Sequence, residues 1–141
     1  MEINIDAANA IAGRVASYAA KQALLGNTIR IVNCEKAILS GSRRWHINRY
    51  NRLINVVGQP QYGPFISRMP DRLLRRIIRG MLPRKKARGR AALKRIRCFI
   101  GVPASFEGKQ LTRVPGAEAS KLKTTKVITL KELCNELGAG L

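Results

Sequence analysis

Hydrophobic and polar residues alternate through Glu2 to Asp6 (EINID), which puts Ile3 and Ile5 on one face, as in a half-buried strand. The period then changes. Ile11, Val15, Tyr18 and Leu25 recur at helical spacing, while Arg14 and Lys21 lie on another face. Asp6 and Asn9 are candidate N-caps, and Gly26-Asn27 ends the helix. Thr28 to Cys34 (TIRIVNC) is rich in β-branched residues and predicts a second strand, completing a β-α-β unit. Glu35 to Leu39 leads into a turn at Ser40-Gly41-Ser42.

Ser42 is placed to cap a second helix from about Arg43 to Val57, with Ile47, Tyr50, Ile54 and Val57 as its apolar stripe. Trp45, Arg49 and Arg52 lie on a different face. Residues 58–64 (GQPQYGP) break regular structure. A third helix begins near Asp71, after Pro70. Leu73, Leu74, Ile77, Ile78 and Met81 make one of its faces; Arg72, Arg75, Arg76 and Arg79 make the other. One side is built to pack on a core while the other presents four guanidinium groups. Gly80 and Pro83 interrupt it, and Arg84-Lys85-Lys86 forms a basic elbow. A further helix runs from about Ala87 or Arg90 to Ile96, and Cys98 to Val102 (CFIGV) predicts a short buried strand. Residues 104–125 are irregular. Lys126 to Thr129 is a fourth strand, and Thr129 with Glu132 forms a T-x-x-E capping box that opens a short helix lined by Leu130, Leu133, Cys134 and Leu137.

At 141 residues the chain is expected to be one domain, residues 1–141, large enough for a single core. Charge changes the picture more than length does. The chain carries 27 basic and 8 acidic residues, a formal net charge of +19. Residues 43–97 hold 17 of the basic residues and only one acid, Asp71. A solvated charged face would mix Glu with Lys. An excess of one sign on this scale calls for a polyanion, and nucleic acid is the first candidate. Arginine outnumbers lysine 14 to 3 in that segment, and its planar fork pairs two ways with phosphate. Binding to a membrane surface is disfavoured by this Arg-for-Lys bias and by the scarcity of aromatics in the segment.

Other classes find little support. The uncharged stretches are far shorter than the ~20 apolar residues of a membrane span, and the acidic start of MEINIDAANAIAGR argues against a signal peptide. Cys34, Cys98 and Cys134 are widely spaced, with no CxxC, and are expected to be small buried thiols rather than metal ligands or a disulfide framework. The one histidine, His46, has no acid near it in sequence. Asp6, Glu35 and Asp71 are expected to be caps and surface charges rather than a general acid/base set. GVPASFEGK has six residues between its glycines instead of a P-loop's four, with Gln110 where Ser or Thr belongs. No catalytic residue, metal or cofactor is expected, nor a small-molecule substrate.

The RNA-facing candidates are Arg43, Arg44, Arg49, Arg52, Arg68, Arg72, Arg75, Arg76, Arg79, Arg84, Lys85, Lys86, Arg88, Arg90, Lys94 and Arg95. Trp45 and Tyr62 are candidates to stack on bases, with packing against the body as the plainer reading. No zinc finger, basic zipper or helix-turn-helix pattern is present. A broad arginine surface with a flexible elbow suits folded RNA, read by shape and backbone. The elbow Pro83–Arg88, rich in like charge and poor in apolar side chains, is expected to gain order with the RNA. An enzyme acting on RNA or nucleotides, and a DNA-compacting protein, are the alternatives.

The same residues carry a resemblance. Arg79-Gly80-Met81-Leu82-Pro83, then Lys86, Arg88-Gly89, Ala92-Leu93, Arg95, Phe99, Gly101 and Pro103, resemble the signature of the universal large-subunit ribosomal protein thirteen family. Asp6-Ala7, Gly13-Arg14-Val15-Ala16-Ser17, Leu25-Gly26, Val32-Asn33-Cys34-Glu35-Lys36 and Ser40-Gly41 resemble that family's opening β-α-β unit. The match spans most of residues 2–103 and is closer to the archaeal and eukaryotic members than to the bacterial. The resemblance implies an α/β fold: a three-layer α/β/α domain around a four-stranded, mostly parallel sheet, with a basic helical middle segment. It implies a cytoplasmic, non-enzymatic constituent of the large ribosomal subunit, bound to large-subunit rRNA beside neighbouring ribosomal proteins, supporting assembly, and not an obligate homo-oligomer.

Overall fold

A computed structural model describes residues 1–59 and 61–141; Pro60, in the predicted 58–64 break, lies outside them. In chain order the elements are β1 (Glu2–Asp6), α1 (Ala12–Leu24), β2 (Thr28–Val32), β3 (Ile38–Ser40), α2 (Arg43–Asn55), α3 (Pro70–Gly80), α4 (Ala87–Lys94), β4 (Ile96–Cys98), β5 (Val127–Thr129) and α5 (Leu130–Glu136).

The main sheet is parallel, in the order β1-β2-β4. Its centre is β2, whose Ile29, Ile31 and Val32 are fully buried, as expected of a strand with partners on both edges. α1 makes the crossover that parallel pairing of β1 and β2 demands. Its buried face is Ala12, Val15, Ala16, Ala19, Ala20 and Ala23. Alanine is the best helix former, and its small side chain lets α1 lie close to β2, α3 and α4. Leu25, predicted to belong to this stripe, falls past the helix end and is exposed. Neither candidate cap is used: Ile11 is the N-cap residue, and no side chain caps it.

The expected fourth strand does not join this sheet. β5 pairs instead with β3, antiparallel, in a separate two-stranded ladder. The reason lies just past β2. Asn33 takes a left-handed conformation (φ 55°) and a 3-10 turn follows over Cys34–Lys36, so the chain turns off the sheet before β3 begins. The strand expected at Cys98 to Val102 is also displaced, to Ile96–Cys98. Beyond Cys98 the chain still runs beside β2, donating from Phe99 N to Ile31 O at 2.8 Å, until Gly101 (φ 66°) turns it away.

The irregular residues 104–125 cover the free edge of β1. Thr112 donates to Asn4 O and accepts from Asp6 N, at 2.8 and 3.1 Å. Exposed strand edges invite pairing with other chains, and this contact closes that edge in part. Phe106, Val114 and Ala117 are buried beneath the wrap.

α3 starts with Pro70, whose fixed φ suits the first helical position, and Asp71, whose charge suits a helix N-terminus. Leu73, Leu74 and Ile78 are buried against α1, β4 and α5. Ile77 is only half-buried and Met81 is exposed, so the predicted apolar face is shifted; Leu82, just past the helix, takes the buried place. α2 is held more lightly. Ile47, Tyr50 and Ile54 are half-buried along its inner side, Val57 is exposed, and His46 is its one buried residue. The predicted cap of α5 is present, with Thr129 Oγ1 accepting from Glu132 N at 3.2 Å.

Ile78→Ala should lower stability by about 2–5 kcal/mol through lost burial and a cavity, and Ile77→Ala by clearly less. Thermal unfolding of the two variants checks this. Equal losses would mean that α3 is rotated from the orientation described.

Candidate nucleic-acid interface

The face of α3 opposite Leu73, Leu74 and Ile78 carries the arginine row. Arg72 and Arg75 are exposed; Arg76 and Arg79 are half-buried at their stems. Three open clefts meet along this face. One, of about 610 Å³, is lined by Asp71, Arg72, Arg75, Lys94, Arg97, Cys98 and Phe99. A second, of about 250 Å³, is lined by Phe65, Ser67, Leu73, Leu93 and all four arginines of the row. A third, of about 530 Å³, is lined by Ile54, Pro64, Phe65, Ile66, Ser67, Arg68 and Arg72. Arg72 lines all three and sits at the hub of the surface.

The elbow adds a second cluster beside α4. Its backbone is tied by Arg84 N donating to Leu82 O at 2.8 Å and Lys86 N to Pro83 O at 2.9 Å. Gly89 in α4 presses against it: a Cβ there would stand 2.2 Å from Pro83 O and 2.5 Å from Pro83 C. Only glycine allows α4 to approach this closely. The elbow thus makes backbone contacts with itself and with α4. It presents Arg84, Lys85, Lys86, Arg88 and Arg90 to solvent, and Lys94 is exposed at the end of α4.

Some candidates are tied to the protein itself. Arg43 pairs with Glu136, fastening α2 to α5. Arg95 is half-buried and donates to Ala23 O at 3.1 Å, where a cation complements the C-terminal carbonyls of α1. Arg75 donates to Leu93 O at 3.2 Å while staying exposed. Arg44, Arg49, Arg52 and Arg68 are exposed, and the Arg49 guanidinium lies 5.2 Å from the Trp45 ring centroid. Tyr62 is 82% exposed; Trp45 is 54% exposed and its ring stands edge-on to the buried His46, with centroids 4.9 Å apart. His46 has a structural place, its Nε2 2.8 Å from Ser40 O, joining α2 to β3.

Three titratable groups are clearly shifted, all upward. Hydrogen bonding with Cys98, then burial, raises the Cys34 pKa far above the usual thiol range. Burial, with the Asp71 charge adding, pushes Cys134 up to about 12. Both thiols therefore stay protonated at neutral pH, although Cys98 is only half-buried, against expectation. Burial also raises Tyr50, partly countered by Arg49 and Arg76. Glu35 is not a surface charge. It is buried, and its Oε2 accepts from Gly101 N at 3.0 Å. Asp6 accepts from Ala8 N and Asn33 Nδ2, at 3.0 and 2.9 Å, which locks the ends of β1 and β2 together. Among the described residues no group of His, Cys, Asp and Glu is arranged to hold a metal, and no helix is long and apolar enough to cross a membrane.

Arg97 and Phe65 line these clefts and were not singled out from the sequence. Arg97 adjoins the candidates in sequence; Phe65 follows the 58–64 break, where periodicity says nothing about side-chain direction.

Gly89→Ala tests the built elbow. At an ordinary exposed helix position this change would stabilise by about 1 kcal/mol. Here the collision with Pro83 should reverse the sign, to a loss of about 1–3 kcal/mol. Chemical denaturation decides between them, and a gain in stability would show that the elbow and α4 are not in contact.

The chain matches the model of a family described as "Ribosomal protein L13" over residues 1–105. It is similar to the large ribosomal subunit protein uL13 of Methanocaldococcus jannaschii, 46% identical over 138 residues, covering 96% of each chain. It is also similar to uL13 of Methanopyrus kandleri, 44% identical over 136 residues, covering 95% of this chain and 85% of that one. For uL13 of Methanococcoides burtonii the identity is 39% over 135 residues, with 96% of each chain covered. The likeness to these archaeal proteins extends through the C-terminal third, where the motif resemblance is weaker.

Proposed function

Because the chain belongs to the ribosomal protein L13 family, and so to the structural proteins of the large ribosomal subunit, we propose that it is held in that subunit by large-subunit rRNA packed on the arginine face of α3. The observation that carries this reading is the placement of Arg72, Arg75, Arg76 and Arg79. They stand on one face of a helix whose other face is buried, and they line clefts that meet at Arg72. Phosphates that enter the clefts release their counterions and meet donors already in position. Arg68, which lines the third cleft, extends the surface, and the exposed Arg44, Arg49 and Arg52 of α2 are proposed to add to it. Lys94, which lines the first cleft, extends it as well, and the exposed Arg84, Lys85, Lys86, Arg88 and Arg90 are proposed to contribute further contacts.

A surface of this breadth touches more than one RNA segment and fastens them together, which is the proposed role in assembly. Arg43, in an ion pair with Glu136, and Arg95, half-buried against Ala23 O, act mainly within the protein. Neighbouring ribosomal proteins are the proposed second class of partner, the cytoplasm the proposed location, and the protein acts as a single copy rather than as an obligate homo-oligomer. An enzyme acting on RNA is not favoured. The protonated thiols and the backbone-bound His46 offer no general acid/base set.

Changing Arg72, Arg75, Arg76 and Arg79 together to Gln should flatten the salt dependence of rRNA-fragment binding. Each phosphate contact contributes roughly 0.7–0.9 to the slope of log affinity against log salt, so about 2 to 4 should be lost. Filter binding across a salt series measures the slope, and circular dichroism verifies the fold. A folded variant with the parent's slope would exclude this face as the contact surface.

A further inference from the structure

The loop between α2 and α3 carries an aromatic ring that the electrostatic reading leaves unused. Phe65 is 73% exposed. It lines two of the clefts, which share Ser67 and Arg72; Arg75, Arg76 and Arg79 line one of them, Arg68 the other, and neither is lined by an acid. The ring is not a loose side chain. Gly63 lies directly against it: a Cβ on Gly63 would come within 3.2 and 3.3 Å of Phe65 Cδ2 and Cε2. The loop beneath is closed by Tyr62 N and Gly63 N, which both donate to Gln59 O, at 3.1 and 2.9 Å. Gly58 and Gly63 approach so closely that a Cβ on Gly58 would overlap Gly63 O. Ile66, next in the chain, packs against the core and anchors the loop.

From this juxtaposition we infer that the groove between Phe65 and α3 seats one unpaired nucleotide of the bound RNA, its base stacked on the Phe65 ring and its phosphates on Arg72 and its neighbours. The inference rests on the RNA-binding reading above and deepens it. An exposed ring alone would suit an apolar protein surface. Five guanidinium groups around it repel one another and call for an anion. A ligand that offers both a π face and a phosphate is a nucleotide. Duplex RNA keeps its base faces stacked internally, so the ring can be used only by a base in a loop, bulge or single strand. Stacking tolerates any base, because each has a π face. The subsite therefore selects for unpaired structure rather than for sequence.

The test compares the full-length protein with its Phe65→Leu and Phe65→Tyr variants, on a short oligoadenylate and on the abasic ribose-phosphate oligomer of equal length. Because Phe65 is exposed, neither change should unfold the chain, and melting temperatures verify this. Phe65→Leu should weaken binding to oligoadenylate roughly 5- to 100-fold, the worth of one base–aromatic stack. It should leave abasic binding and the salt slope unchanged, and Phe65→Tyr should keep the parent's affinity. Equal loss on both oligomers would overturn the inference, since the ring would then act through packing. No loss on either, with the salt slope intact, would also overturn it and point to a protein as the occupant, while leaving the RNA reading standing. Absence of salt-dependent binding to both oligomers and to rRNA fragments would remove the RNA reading and the subsite with it.

Discussion

Four like charges on one short helix are held in a row by what the other side of that helix buries. Arg72, Arg75, Arg76 and Arg79 repel one another, but across water each neighbouring pair costs only about 1 kcal/mol or less. Burial of Leu73, Leu74 and Ile78 against α1, β4 and α5 opposes this, at roughly 1.5–3 kcal/mol for each side chain removed from water. Burial wins, and the arginines are fixed before any ligand arrives. An anion then gains their attraction without the cost of gathering them. Their repulsion in the free protein is the same energy that binding would relieve.

The rest of the fold supplies that helix with a floor. α1 can lie against both α3 and α4 because its buried face is nearly all alanine. The floor is stiffened where polar groups are pinned: Asp6 to Asn33 at the ends of β1 and β2, Glu35 to Gly101 beside β4, and Thr112 across the edge of β1. Each satisfies backbone or side-chain polar atoms, as most buried polar groups in a folded protein are satisfied. α2, by contrast, is fastened mainly at its N-terminal end, through His46 and Arg43. It brings Arg44, Arg49 and Arg52 to the surface on a more weakly held element.

The elements that were legible in the sequence are those whose signal is local. β1, α1, β2 and α3 follow from periodicity, and the cap of α5 from a four-residue motif. The charge segregation of residues 43–97 pointed to the arginine face without any knowledge of its neighbours. What was not legible depends on contacts distant in sequence. β3 has three residues, too few for a period, and it exists because β5 pairs with it. The main sheet stops at three strands because Asn33 and the turn after it redirect the chain, a backbone event that composition barely records. Met81 is exposed and Leu82 buried because the helix ends at Gly80, and beyond a helix end the helical period no longer says which side chain faces inward. Phe65 was missed for a related reason: the close approach of Gly58 and Gly63, not a repeating pattern, aims its ring.

The central claim, that the α3 arginines are the seat of the RNA, is tested most directly by arginine-specific chemical modification read residue by residue with mass spectrometry. The free protein and the intact large subunit are treated alike. Arg72 and Arg75 should react readily in the free protein, where they are exposed, and become protected in the subunit. Arg95, half-buried against Ala23, should react slowly in both. If Arg72 and Arg75 react as fast in the subunit as in the free protein, the RNA lies elsewhere and the α3 face is not its seat.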